Sequence, residues 1–496
     1  MRFSLATTTA GVLLVRGVIG QLVSGVPVGP KTPLSQKSGT ICDVLKYGGV
    51  ADGKTDIGVA ITNAFTKCVL QANGGATLLV PEGEYLITTG VVLNAGTKWA
   101  FQLDGLITLS EDGRFNGNAI VVKRATDFEM FSSNGKGAIQ GQGYKKRISG
   151  STQDARLLRV CSTNPRTILT KDTQIDSPTF HLFHNDATNL ENYHITVRGG
   201  NKGGLDGINL TCLSNCYIHH IEVTNRDECI SVKTPSRNVL IEEIYCNQSG
   251  GMSIGSLDAG GTGSDIEYIH MRNIYVHQCT QMLMIKTWPG GSGAVGHVRN
   301  SLFENFHAYD TTYALDIDQY WYGRKDPNTG AIAISDLHFR NWTGTVNNGA
   351  SRGPIVIRGS DIVPLTDIKL EDFSMWTENG NVAVLQCNNV YGTGYCAQEL
   401  KGDAEPSPVA ATSTLREPME GFVKPTRPSW GVGPTGYGLT VPIPVYTPAP
   451  MWGTNPGPSR ARKRDPQAEG RGGGQRGPTE TPPSRKPRGY GGHRRS

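Results

Sequence analysis

Asp206, Asp227 and Glu228 are the residues of this chain whose types and spacing best suit chemistry. Glu228 follows Asp206 by 22 residues, the interval that also separates the triplets Ile208-Asn-Leu210, Ile230-Ser-Val232 and Met252-Ser-Ile254. If the triplets are equivalent strands on successive coils, the two acids stack ~4.8 Å apart with Asp227 next door. Three carboxylates this close repel one another, and at least one should keep its proton at a raised pKa. A protonated carboxyl beside ionised ones is what hydrolysis of a glycosidic bond requires: one group protonates the leaving oxygen while another activates water. An isolated Asp more often caps a turn or binds calcium, but three converging in register favour catalysis. Adjacent strand residues face opposite ways, so Asp227 and Glu228 can share a site only at a strand end or a bulge.

Other residues extend this register. Lys233 and Lys286 each follow the last residue of a triplet, Val232 and Ile285, and should lie on one face two coils apart. There they could hold a sugar carboxylate as point charges; the alternative for Lys286 is an ion pair with Asp318, which falls beside it by the same count. Tyr320 and Trp321 offer flat faces for a sugar ring, or simply pack. Gly250 and Gly251 come next in the register after the acids and should leave open space beside them.

The elements that must position these groups are short and repetitive. Leu283-Met-Ile285 and Leu315-Asp-Ile317 continue the first series, with steps of 31 and 32. A second series runs out of phase: Ile221-Glu-Val223, Ile244-Tyr-Cys246, Ile274-Tyr-Val276, Phe306-His-Ala308, Trp342-Thr-Gly344 and Phe373-Ser-Met375. A constant minimum repeat with variable insertions predicts an all-β fold, a parallel β-helix in which each strand pairs with its equivalent one coil away. Asn225, Asn247, Asn273, Asn305 and Asn341 flank these strands, where Asn tolerates the left-handed backbone of tight turns and can bond its neighbours in a ladder. An alternating β/α chain is the rival, but hardly any segment between 190 and 380 has helical periodicity. One helix is expected over residues 56–70: Asp56 can cap it, and Val59, Ile61, Ala64, Phe65, Cys68 and Val69 fall largely on one face. It would cover the first coil, whose open sheet edge otherwise invites pairing with other chains.

Composition agrees with a turn-dense β architecture. Gly makes up 63 of 496 residues and charged residues only 18%. The net charge of +5 is concentrated at the end: residues 457–496 hold 11 Lys+Arg against 3 Asp+Glu, leaving −3 over residues 1–456. A mildly acidic body gives little support to nucleic-acid binding, and no later apolar run is long enough for a membrane span. Residues 1–20 resemble a secretory signal, with Arg2 ahead of the short apolar stretch Leu5–Val15. Residues 21–400 should form the β-helix, 401–456 a Pro/Gly-rich extension, and 457–496 a disordered basic tail. Ten cysteines and the sequons at Asn209, Asn247 and Asn341 suit secretion into an oxidising space. Cys42 and Cys68 flank the presumed helix and could pin it. Cys229 and Cys246 lie on successive strands, and Cys387 and Cys396 could close a C-terminal loop; Cys161, Cys212, Cys216 and Cys279 have no assigned partner. No spacing matches a strong zinc pattern, so no metal or cofactor is expected.

These motifs together resemble the pectin-degrading polygalacturonase and rhamnogalacturonase family, glycoside hydrolase family 28. In that family Asn-Thr-Asp-Gly, Asp-Asp-Cys, Gly-His-Gly and Arg-Ile-Lys motifs line the cleft of a right-handed parallel β-helix. Gly204-Leu-Asp206-Gly207 resembles the first and Arg226-Asp227-Glu228-Cys229 the second, at matching spacing. The resemblance implies Asp227 as general acid, with Asp206 and Glu228 holding and activating water in an inverting hydrolysis. Gly250 replaces the His of Gly-His-Gly, and Met284-Ile285-Lys286 lacks the Arg of Arg-Ile-Lys. Loss of that Arg would suit a neutral sugar beside the cut, and these versions resemble the rhamnogalacturonase branch. The expectation is a secreted, monomeric endo-hydrolase of the galacturonate–rhamnose linkage in pectic rhamnogalacturonan. Its rivals are a polygalacturonase or xylogalacturonan hydrolase, a β-helix polysaccharide lyase, and a non-catalytic carbohydrate-binding solenoid.

Overall fold

In the computed structural model the five triplets of the first series lie side by side. Ile208 pairs with Ile230, Val232 with Ile254, Met252 with Leu283, and Leu283 with Leu315, all in parallel register. The second series stacks likewise, from Ile221 through Ile244, Ile274, Phe306 and Trp342 to Phe373. The described strands join in one 29-stranded sheet, parallel except where Ala410–Leu415 runs antiparallel to Ala383–Asn388 at the C-terminal end. The chain is a parallel β-helix. The structure describes residues 22–447 apart from 151–154, 162–166, 171–172, 259–262, 290–294, 322–329, 430–437 and the single positions 401 and 403. The expected signal at 1–20 and tail at 457–496 lie outside the described residues.

Alternate residues of each strand point into the coil, where they meet their equivalents above and below. The inward positions are aliphatic or aromatic and fully buried, and they form one continuous core. Phe306, Trp342 and Phe373 stack in a column, with ring centroids 4.3 and 5.3 Å apart. Trp342 is 0% exposed, and its indole N–H donates to the Phe303 carbonyl at 3.1 Å. Trp342→Ala should therefore cost about 3–5 kcal/mol, seen as a lower denaturant midpoint; a loss under about 1 kcal/mol would contradict this packing.

The turns explain three of the recurrent Asn, Asn273, Asn305 and Asn341, whereas Asn225 and Asn247 lack positive φ and are buried. His220, Glu243, Asn273, Asn305, Asn341 and Asp372 all adopt positive φ between 52° and 58°. Asn273 donates to Glu243 at 2.9 Å, Asn305 to Asn273 at 3.0 Å, and Asn341 to Asn305 at 2.7 Å, giving a ladder along the solenoid.

Helix α1 spans Ile57–Lys67, and Asp56 accepts the Gly58 N–H at its start. Ile57, Ala60, Ile61, Ala64 and Phe65 face the first coil. Val59, counted on that face in the sequence, is instead 53% exposed because the buried stripe passes through Ile57 and Ala60. Cys42–Cys68 joins the helix end to the first strand, Cys229–Cys246 links adjoining segments, and Cys387–Cys396 closes a loop near the C-terminal coils. Cys212–Cys216 forms a fourth bridge, and Cys161 and Cys279 are free. Of the sequons, Asn209 and Asn247 are 1% and 2% exposed, and their amides donate to Asp206 and Thr224. The folded chain has no room for a glycan on either; Asn341 alone is exposed.

The Pro/Gly-rich extension packs on the solenoid. Met419 N–H donates to the Met375 carbonyl at 3.2 Å, and Lys424 pairs with Glu378 at 3.0 Å. Gly438 then abuts Gly200, and the Tyr446 hydroxyl donates to the Lys136 carbonyl at 2.9 Å. The segment thus returns from the last coils towards the first. With Glu82, Asp104 and Arg198 it walls a cavity of about 570 Å³ under Val445 and Tyr446.

Candidate active site

Five strands carry the cleft face: β1 (Ile208–Ser214), β2 (Glu228–Asn247), β3 (Gly251–Leu257), β4 (Leu283–Thr287) and β5 (Leu315–Asp318). Asp206 lies just before β1 and Asp227 just before β2, whose first residue is Glu228. A strand end therefore lets both neighbours reach one opening. Pairing of β2 with β3 is irregular between Glu228 and Ser231. This shift sets Gly251, rather than Gly250, opposite Glu228.

Carboxylate oxygens of Asp206, Asp227 and Glu228 all lie within 4.8 Å of one another. Asp206 is 4% exposed and Glu228 5%, while Asp227 is less covered. The Asn209 amide donates to Asp206 at 3.0 Å. Asp227 accepts the Gly204 N–H and, at 2.9 Å, the Glu228 N–H. Glu228 accepts Lys286 Nζ in a buried ion pair.

These surroundings push the three groups apart. Burial, then the charges of Glu228 and Asp227, raises Asp206 well above the usual carboxylate range. Burial, with the hydrogen bond and charge of Glu228, raises Asp227 to about 6. Burial opposes ionisation of Glu228 too, but the hydrogen bond from Asp227 and the ammonium groups of Lys286 and Lys233 overcome it and hold the group low. Asp206 and Asp227 are thus pushed towards the protonated form and Glu228 towards the ionised form, the kind of division that acid–base hydrolysis uses. Its oxygens are close enough to grip a cation, but two lysines already supply positive charge there.

The lysines do not stand alone in the cleft. Lys286 is 8% exposed, tied to Glu228, and its ammonium sits 4.6 Å from the centroid of the Trp321 ring. Asp318 lies beside Lys286 in register but pairs with Arg358 at 2.8 Å. Lys233 donates to the Gly255 carbonyl, and burial lowers its pKa against the raising charges of Glu228 and Asp206. Tyr320 donates to Asp361 at 2.5 Å. Gly250 does not open space: a Cβ there would stand 2.8 Å from the Asp227 carbonyl carbon, and its N–H donates to the Asp227 carbonyl at 2.6 Å. The glycine permits close backbone approach that steadies Asp227. Met284 is 4% exposed and places no cation beside Ser253 and Asp316.

Two supporting residues escaped the sequence reading. His181 accepts the Ser177 N–H at Nε2 (3.2 Å), which leaves Nδ1–H to meet the Asp206 carbonyl at 3.0 Å. Burial holds its pKa down to about 4, so the ring stays neutral. Asn225 donates to the Leu205 carbonyl at 2.8 Å and the Glu228 carbonyl at 3.0 Å. One amide thus ties the backbone ahead of Asp206 to that of Glu228. Such bonds to main-chain carbonyls leave no side-chain pattern to read; the recurrence of Asn at turns was the only hint.

Residues 71–397 match the family described as glycosyl hydrolases family 28. The chain is 42% identical over 440 residues to rhamnogalacturonase A of Aspergillus aculeatus, covering 88% of this chain and 95% of that protein. It is 41% identical over 435 residues to rhamnogalacturonase A of Emericella nidulans, covering 87% and 81%. Among solved structures, endo-xylogalacturonan hydrolase from Aspergillus tubingensis superposes with a TM-score of 0.60 at 22% identity, covering 68% of this chain and 93% of that one. Polygalacturonase from Erwinia carotovora gives 0.55 at 17% identity, covering 72% and 98%. At these identities the structural likeness speaks for the fold alone.

Proposed function

Because the chain belongs to glycosyl hydrolases family 28, we propose that this glycoside hydrolase is a secreted enzyme that cuts the galacturonate–rhamnose linkage within rhamnogalacturonan, with inversion. The observation that carries the mechanism is the convergence of three carboxyls whose oxygens lie within 4.8 Å of one another. This is tighter than the ~6.5–9.5 Å usual for an inverting pair, so inversion rests on the family resemblance. Asp227, raised to about 6, is the general acid that protonates the departing glycosidic oxygen. Glu228, kept ionised by Lys286, takes the proton of the attacking water. Asp206, whose carboxyl is pushed up by burial and by the charges of Glu228 and Asp227, holds that water together with Glu228. Lack of a cation at Met284 suits a neutral sugar beside the cut, and the relatives named rhamnogalacturonase agree with this substrate. Four disulfides suit an oxidising, extracellular location.

The sign of the pH dependence follows from these roles. Activity should fall as pH rises through about 6, when Asp227 loses its proton. It should fall on the acid side as Glu228 gains one, near about 2. The profile of kcat/KM is therefore expected to be a bell lying on the acidic side of neutrality. Incubation with rhamnogalacturonan, homogalacturonan and xylogalacturonan, with oligomer sizing and NMR of the first-formed anomer, tests the whole reading. Internal cleavage of the alternating polymer with an inverted anomer is expected. Preferential cleavage of either alternative polymer, or an unsaturated product, would refute it.

A further inference from the structure

On the cleft face the residues after each triplet form a column: Lys233, Gly255, Lys286, Asp318 and, on the next strand β6 (Ile355–Arg358), Arg358. Lys233 and Lys286 both act on Glu228 and make one cationic centre at the triad. The next cation in the column is Arg358, two coils beyond Lys286. Its guanidinium leans back one coil to Asp318 at 2.8 Å and lies 3.8 Å from Asp316, whereas Lys286 reaches back two coils to Glu228. By strand register Arg358 stands two coils beyond Lys286 and four beyond Glu228, so Lys233, Lys286 and Arg358 occupy every second coil of the column. The acids that hold Arg358 are 4% exposed at their side chains, whereas Arg358 itself is 42% exposed. Arg358 is thus the exposed member of this ion-paired group.

A pyranose unit in an extended glycan advances by about as much as one coil rises, ~4.8 Å. A glycan laid along this column thus sets every second sugar against a cation. The coil between, bearing Asp318 beneath Arg358, shows no cation. We propose that Arg358 is a second carboxylate-binding residue of the cleft, spaced two coils from Lys286 to receive the next acidic sugar of a chain in which uronate and neutral sugar alternate. Asp318 is its positioning residue: it fixes the guanidinium and keeps it oriented along the column. The inference deepens the proposed function and rests on it, since an alternating backbone repeats its carboxylate at this interval.

The test uses the full-length enzyme and a series of alternating galacturonate–rhamnose oligosaccharides extended stepwise at either end. For Arg358→Gln, KM relative to the parent should rise about tenfold once the oligosaccharide spans both cationic centres, roughly four sugars beyond the cut. The ratio should stay below about twofold on shorter ones, with kcat little changed. Arg358→Lys should recover most of the loss. Because Gln leaves Asp318 without its cation, the double variant Arg358→Gln/Asp318→Asn is measured alongside, and the same length dependence is expected. A KM ratio independent of length in both variants would overturn the inference while leaving the proposed function intact. Failure of the parent to cut these oligosaccharides at all would overturn both.

Discussion

Asp227→Asn should lower kcat on rhamnogalacturonan by about 10²–10⁴-fold, the range that a positioned general acid supplies. The change is nearly isosteric, and an Asn oxygen at that place can still accept the Gly204 N–H. Folding and substrate affinity should therefore survive. The measurement pairs initial rates with a thermal melt and with direct titration of a long oligosaccharide. An Asn amide can still donate to Glu228 as Asp227 does, so binding is expected to be about equal. A non-catalytic solenoid gives a different pattern, with no turnover in parent or variant. Retention of more than about a tenth of the parental rate would show that Asp227 is not the proton donor.

Lys286→Met should have the second-largest effect and reach both rate and stability. It removes the cation from a pair whose side chains are 11% and 6% exposed, leaving Glu228 buried without its counter-charge. Breaking such a pair costs about 3–5 kcal/mol. In the parent, Glu228 titrates below its ordinary value of 4.5, so the ion pair's stabilisation is complete above that pH and is lost as pH falls towards about 2. The variant's stability deficit should accordingly be greatest near neutrality and shrink over that interval. Its acid limb of activity should move to higher pH, because Glu228 then takes up a proton more readily. Denaturant melts at several pH values and a pH–rate profile check both signs. The double variant Glu228→Gln/Lys286→Met should regain much of the stability and none of the activity, which separates the two roles.

Much of this architecture was legible because the repeat is written in side chains. Ile208, Ile230, Met252, Leu283 and Leu315 share a period, and stacking coils must place equivalent residues together; their pairing follows that register. Asp206, Asp227 and Glu228 converge for the same reason. The count slipped at Gly250, because an irregular pairing between Glu228 and Ser231 moves the next coil by one residue, and no residue type announces such a shift. Asn209 and Asn247 carry the sequon pattern, but an acceptor motif says nothing of burial, and both amides are spent inside the fold. Lys286 was read as meeting substrate or Asp318; three-dimensional proximity to Glu228 decides its partner, across a sequence separation of 58. Arg358 ends a strand that starts 40 residues after Leu315, a step longer than any in the series, so the count does not reach it. The extension after residue 401 adds one antiparallel strand, Ala410–Leu415, outside the parallel repeat, and beyond it the Pro- and Gly-rich chain follows an irregular path that leaves no period to read.

That returning path bears on how the molecule is made. A stack of coils has contacts mainly between neighbours, so its opening coils can settle as they leave the ribosome. Gln140 and Lys136, however, wait for Ile443 and Tyr446, which are synthesised 303 and 310 residues later. These early coils are therefore left without their outer cover while 303 to 310 further residues are made, and the last described stretch to emerge is the one that covers them.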